Sequence, residues 1–234
     1  MNNLNSIAIM THSKRDQELE AIRRLIELQA KPLGIPVLIA RDEGWNSPRL
    51  TLRKALTMGE WTEGYRLVLH DDLVVPKGCL TKLSYILEKL PNDGYVSAYC
   101  PSNKGYNMAV EREHHVLRTA SNIWAQAIAY RHDRAAAFVE YMDENSSETY
   151  RWEDRTLCGF LKSENDKMTC VVPSLFQHLG AFRSTLGFPG KVGGRLRYSD
   201  AFQPNFDPTK VDWEYEAKVP YLNEVPVDMK GVLK

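Results

Sequence analysis

The sequence predicts an α/β fold: a mainly parallel central sheet with helices on both faces. Three observations predict it. Short apolar runs recur at Ser6–Thr11, Ile35–Ala40, Tyr65–His70 and Tyr95–Cys100. Segments with helical spacing of apolar residues separate them. The resulting β-α-β-α-β-α-β order needs crossover connections, which parallel strands require.

Each element has a local cause. Ser6–Thr11 is a short apolar strand, and Lys14–Gln29 carries Leu19, Ile22, Leu25 and Ile26 at helical spacing, with Ser13 as the expected N-cap. Pro32-Leu33-Gly34 breaks the chain before the strand Ile35–Ala40. A polar loop, Arg41–Ser47, leads to a helix over Leu50–Met58. Gly64 turns the chain into Tyr65–His70, and Pro76 suits the start of a helix over Leu80–Leu90. Pro91-Asn92-Asp93-Gly94 is a strong turn before Tyr95–Cys100. The polar stretch Pro101–Ser121, with His114-His115, reads as a loop or lid. Beyond it come a strand (Asn122–Tyr130), a helix (Asp133–Met142), a polar loop, a helix (Trp152–Leu161) and a strand (Met168–Val172). Pro204–Lys234 has weak periodicity and reads as a surface-wrapping tail, which divides the chain into a domain over residues 1–203 and a tail over 204–234.

Composition bounds the function. The 234 residues fit one sizeable domain. Thirty basic and thirty acidic side chains give zero net charge, so whole-molecule electrostatics offers no drive toward non-specific nucleic-acid binding. No run of about 18 apolar residues is present, and the N-terminal stretch lacks a signal-like pattern, so a cytoplasmic location is expected, in the host cytoplasm if the protein is viral. Cys79, Cys100, Cys158 and Cys170 are widely spaced and are expected to be reduced.

The most informative stretch is Tyr65–Pro76, YRLVLHDDLVVP. Adjacent carboxylates between apolar runs are costly to bury without a positive partner. At a strand end that partner is commonly a divalent metal carrying phosphates, although two solvated turn residues would give the same letters. Thr11, Asp42 and Asp71-Asp72 all fall at strand carboxyl ends, where ligands of such sheets sit. Asp154, in RWEDRTLCGFL, shares a helical face with Leu157, Cys158 and Leu161, as a general base facing a cleft would; Glu153 and Asp154 equally suit the positive end of a helix dipole. His178 sits among Leu175, Phe176 and Leu179, as a metal ligand or as a core histidine. Arg183, Lys191, Arg195 and Arg197, interleaved with glycines, suit phosphate contact or an exposed loop.

In order, these pieces resemble a small glycosyltransferase of the GT-A fold. SIAIMTHSKRDQELEAIRRLI resembles the first strand, nucleotide loop and helix, and SPRLTLRKALTMGEWTEGYRLVLHDD the run into the acidic metal motif. NIWAQAIAYRHDRAAAFVEYM is similar to the segment flanking the acceptor site, and RWEDRTLCGFL to the helix bearing the catalytic base. PSLFQHLGAFRSTLG is similar to the tail motif of N-acetylglucosaminyltransferase IV proteins. The resemblance implies that Asp72 and His178 bind Mn²⁺ or Mg²⁺. It implies that Thr11, His12, Asp42, Arg49, Arg53 and Asp71 contact the nucleotide of a UDP-sugar donor, and that Asp154, with Glu153 beside it, is the base. His70 departs from the family, standing where the motif's first acidic residue is usual.

The acceptor is left open between a glycan or small molecule and a hydroxymethylated pyrimidine in DNA, as bacteriophage sugar transferases use. Two other classes share strand-end carboxylates: a nucleotidyltransferase, and a non-catalytic nucleotide-binding module.

Overall fold

The computed structural model describes residues 3–44, 47–100, 104–111, 113–121, 123–145, 152–178, 191–192, 195–196 and 202–218. Its centre is a seven-stranded sheet of order β2-β1-β3-β7-β5-β8-β6, formed by β1 (Leu4–His12), β2 (Val37–Asp42), β3 (Tyr65–His70), β5 (Tyr95–Ser97), β6 (Val116–Thr119), β7 (Ala127–Arg131) and β8 (Met168–Val171). The parallel pairs are β1 with β2, β1 with β3 and β5 with β8, whereas β7 runs against β3 and β5, and β6 against β8. Five strands, β1, β2, β3, β5 and β8, therefore share one direction, in keeping with the predicted mainly parallel, GT-A-like class.

Period-two alternation divides the core between two faces. Ile7, Ile9, Leu67 and Leu69 pack with α1 (Asp16–Ala30) and α3 (Cys79–Lys89). Ala8, Met10 and Val68 pack with α2 (Pro48–Thr57), α5 (His132–Glu144) and α6 (Glu153–Ser163). Arg66 falls on the second face and is wholly buried. Its Nε donates to Ser6 Oγ (2.7 Å), and its Nη1 donates to the carbonyls of Ala55 (3.0 Å), Leu56 (3.3 Å) and Met58 (2.5 Å). Those carbonyls belong to the C-terminal turn of α2, which has no further backbone donors to meet them. The guanidinium thus caps one helix and ties it to β1 and β3.

Element boundaries differ from the sequence reading where side chains compete for the chain. α1 begins at Asp16 with Arg15, not Ser13, at the N-cap, because β1 continues to His12 and Arg15 N donates back to the His12 carbonyl (3.0 Å). α3 starts at Cys79 rather than Leu80, after Gly78 at φ 77°, a backbone region that glycine enters without steric cost. The stretch read as a loop over Pro101–Ser121 contains α4 (Lys104–Glu111) and β6. Two short ladders complete the described structure: β4 (Leu73–Val74) with β9 (Gln177–His178), and β10 (Lys191–Val192) with β11 (Arg195–Leu196).

The described part of the C-terminal stretch, residues 202–218, is docked on the domain. Phe202 bridges Ser174, and Phe206 stacks on His115 at 5.5 Å. Trp213, in the short helix α7 (Trp213–Glu216), is 3% exposed within the α1–α3 core. A tail that only wraps the surface would not place a tryptophan there.

Candidate active site

The parallel strands β2, β1 and β3 end together, since Met10 pairs with His70 and His12 with Asp42. The chain proceeds from β1 outward to β2 and returns on the other side of β1 as β3. This reversal of direction opens a crevice at the carboxyl ends of β1 and β3.

Three consecutive residues at the end of β3 point different ways. His70 follows the face of Val68, toward α6, and Asp71 follows the face of Leu69, toward α1. Asp72 lies in the turn into β4, whose pairing with β9 sets Leu73 opposite His178. His178 Nε2 lies 3.3 Å from Asp72 Oδ2, and His178 is 4% exposed.

Asp71 is fully engaged. Thr11 Oγ1 donates to its Oδ2 (2.6 Å) and Arg15 Nη1 to its Oδ1 (2.6 Å). The same Arg15 nitrogen stands 3.3 Å from Asp72 Oδ2. Arg15 was not among the residues singled out from the sequence, where it read as part of a polar helix start. Nothing local marked it: it stands in the first turn after β1, and only the pairing of β1 with β3 brings it to the acidic pair.

The electrostatics of the two neighbours diverge. Burial raises the Asp71 carboxyl above its ordinary value, with Arg15 and Thr11 opposing. Burial also works to raise Asp72, but the imidazoles of His178 and His70 and the Arg15 guanidinium overcome it and hold this carboxyl well below the usual range. Asp72 is therefore an anion at any physiological pH.

On the α6 side, Glu153 Oε1 lies 3.5 Å from His70 Nε2. His70 is fixed by its backbone N–H, which donates to the Gln126 carbonyl (2.9 Å). Burial raises the Glu153 carboxyl, with His70 opposing and Asp154 adding to the rise. Asp154, one residue on, accepts from the backbone N–H of Arg155 (2.7 Å). Buried and without a hydrogen-bond partner are Asp72 Oδ1, both ring nitrogens of His178, His70 Nε2 and Glu153 Oε2. Unpaired polar atoms gathered at one strand end are groups that a ligand would satisfy.

The other candidates have partners of their own. Asp42 accepts from the backbone N–H groups of Gly44 (2.9 Å) and Ser47 (3.0 Å), closing the β2–α2 loop at the crevice edge. His12 Nδ1 accepts from Lys14 N (3.2 Å). Arg49 donates to the Met142 carbonyl (2.8 Å), and Arg53 makes a bidentate pair with Asp143 (2.6 and 2.7 Å). Both arginines are engaged at the C-terminal end of α5 and are not brought to the acidic pair. Arg183 and Arg197, and the side chains of Lys191 and Arg195, lie outside the described residues.

A divalent cation is compatible with this donor set. Among the described residues no group of three or more His, Cys, Asp and Glu side chains is placed to hold a metal. One carboxylate and one imidazole remain, both with unpaired atoms. Mg²⁺-type ions in phosphate-transfer sites take few protein ligands and complete their shell with phosphate oxygens and water.

No protein-family model matches the chain, and no curated protein matches it. Among solved structures, one described as a crystal structure of a glycosyltransferase involved in the glycosylation of the major capsid of PBCV-1 is similar over 66% of this chain and 73% of that one, with 14% sequence identity and a TM-score of 0.45. No helix among the described residues is long and apolar enough to cross a membrane.

Proposed function

We propose that the chain is a metal-dependent glycosyltransferase that moves a sugar from a nucleotide-diphosphate sugar, taken here as a UDP-sugar, to an acceptor hydroxyl. One observation carries the reading. The end of β3 sets an anion-and-imidazole pair, Asp72 with His178, beside a second carboxylate, Glu153, whose burial favours accepting a proton.

Asp72 and His178 would hold Mn²⁺ or Mg²⁺, and a bound cation supplies neutralisation of the charge that develops on a diphosphate leaving group. Thr11 and Arg15 fix Asp71 and so set the geometry of the turn. His12 and Asp42, at the neighbouring strand ends, border the crevice in which the nucleotide would lie. Glu153 is the carboxylate better placed to take the acceptor proton, because its Oε2 has no partner; Asp154 is the neighbouring alternative. His70, 3.5 Å away, opposes the rise that burial imposes on the Glu153 carboxyl.

The test is a thermal-shift screen of UDP-sugars and nucleoside triphosphates, each with and without Mn²⁺. A Mn²⁺-dependent shift with a UDP-sugar is expected. Candidate acceptors then divide the remaining readings: free sugars and glycans in one arm, hydroxymethylated DNA in the other. A shift confined to nucleoside triphosphates, with pyrophosphate release, would mark a nucleotidyltransferase. A UDP-sugar shift indifferent to Mn²⁺ would fit a binding module.

A further inference from the structure

We infer that Arg15 is a resident counter-ion of the acidic pair that competes with the divalent cation for Asp72 and passes to the donor diphosphate when cation and nucleotide bind together. The inference rests on the metal reading of Asp72 and His178 and assigns a role to a residue which that reading does not require.

The geometry is asymmetric. Arg15 is 8% exposed, and one of its nitrogens serves both carboxylates. The Asp71 contact, at 2.6 Å, is a short charge-assisted hydrogen bond; the Asp72 contact, at 3.3 Å, is long. Asp71 is also fixed by Thr11. Arg15 therefore has a permanent anchor on Asp71 and a loose contact on Asp72. The loose contact falls on the carboxylate that a cation would use, and Asp72 Oδ1 is unpaired.

A guanidinium so close to Asp72 repels a dication bound there, and at short range this repulsion is large in a partly buried site. Cation binding without nucleotide is thereby weakened. A diphosphate changes the balance, because its oxygens offer the guanidinium a replacement anion with bidentate geometry. Cation and nucleotide then strengthen each other's binding, and by linkage the coupling is reciprocal. In the absence of donor, the same contact sets a positive charge beside the half-buried Asp72 carboxylate, which His178 also approaches.

Mn²⁺ affinity, measured by electron paramagnetic resonance with and without UDP, tests this in wild type, Arg15→Gln, Arg15→Lys and Asp72→Asn. Arg15→Gln is expected to bind Mn²⁺ alone about tenfold more tightly than wild type and to lose most of the strengthening by UDP. Arg15→Lys, which keeps the charge but not the fork, is expected to bind Mn²⁺ alone as weakly as wild type and to keep only part of the strengthening by UDP. A residue that merely held Asp72 in place would give the opposite sign, since its loss would weaken the cation. Unchanged or weaker Mn²⁺ binding in Arg15→Gln, with binding abolished in Asp72→Asn, overturns the inference and leaves the metal reading standing. Absence of Mn²⁺ binding in wild type, with or without UDP, overturns both. Should Arg15→Gln fail to fold, the ¹⁵N resonance of Arg15 Nε in wild type, identified by its loss in Arg15→Lys, is expected to move on titration with Mg²⁺ and UDP. A resonance that stays in place sinks the inference.

Discussion

His178 stands 3.3 Å from Asp72 because the residue after Asp72, Leu73, pairs with His178 in the β4–β9 ladder. Two backbone segments far apart in sequence are thus joined next to the acidic turn. The ladder delivers the imidazole without help from a long loop.

Asp72→Asn is expected to remove Mn²⁺-linked stabilisation by UDP while leaving the fold intact. His178→Ala should weaken Mn²⁺ at least about 100-fold, since losses of that order follow even from changes one shell further out. Titration calorimetry with Mn²⁺ and UDP checks both. Undiminished Mn²⁺ binding in either variant would exclude that residue as a ligand.

Glu153→Gln is expected to lower turnover by about 10²–10⁴-fold with donor affinity retained, the range for losing a general base. The pH–rate profile gives the sign. Burial makes Glu153 keep its proton to a higher pH than the ordinary value of 4.5, so the wild-type rate should fall as pH drops through that raised value. The acidic limb should disappear in Glu153→Gln. If Asp154→Asn produces the larger loss, the two carboxylates exchange roles.

Arg66→Met should destabilise the protein by about 3 kcal/mol, because the Ala55 and Met58 carbonyls lose the donor that caps them, whereas Leu56 keeps Trp61 Nε1. Urea titration measures this. Mn²⁺ affinity in the folded fraction should match wild type.

Trp213→Ala should cost about 3–5 kcal/mol, the usual range for emptying a buried aromatic site. A cost near zero would mean that the C-terminal stretch adds little to the core on which it is docked.

Much of this was legible in the letters. The boundaries of β3 match the apolar run Tyr65–His70, because a strand buried on both faces reads as a continuous hydrophobic stretch. The two carboxylates after it announced a need for positive charge. Which charge meets them was not legible, since Arg15 lies at the start of another element and only the β1–β3 pairing brings it across. The approach of His178 to Asp72 was expected only through family resemblance, for nothing local in PSLFQHLG predicts a two-residue ladder. α4 was hidden because its short sequence, KGYNMAVE, is flanked by polar residues that mask its period. Arg49 and Arg53, assigned to the nucleotide only by the family resemblance, have partners on α5, a contact between helices that no spacing within α2 reveals.

The divergence of His70 and Asp71 has a consequence for variation. A slip of β3 by one position against β1 would exchange which side of the sheet receives the imidazole and which the carboxylate, inverting the whole layout at a stroke. Arg66, tied to Ser6 on the neighbouring strand, works as a registration peg against that error. Insertions or deletions within this strand, or in the two-residue Asp71-Asp72 turn that follows it, are thus expected to be lethal.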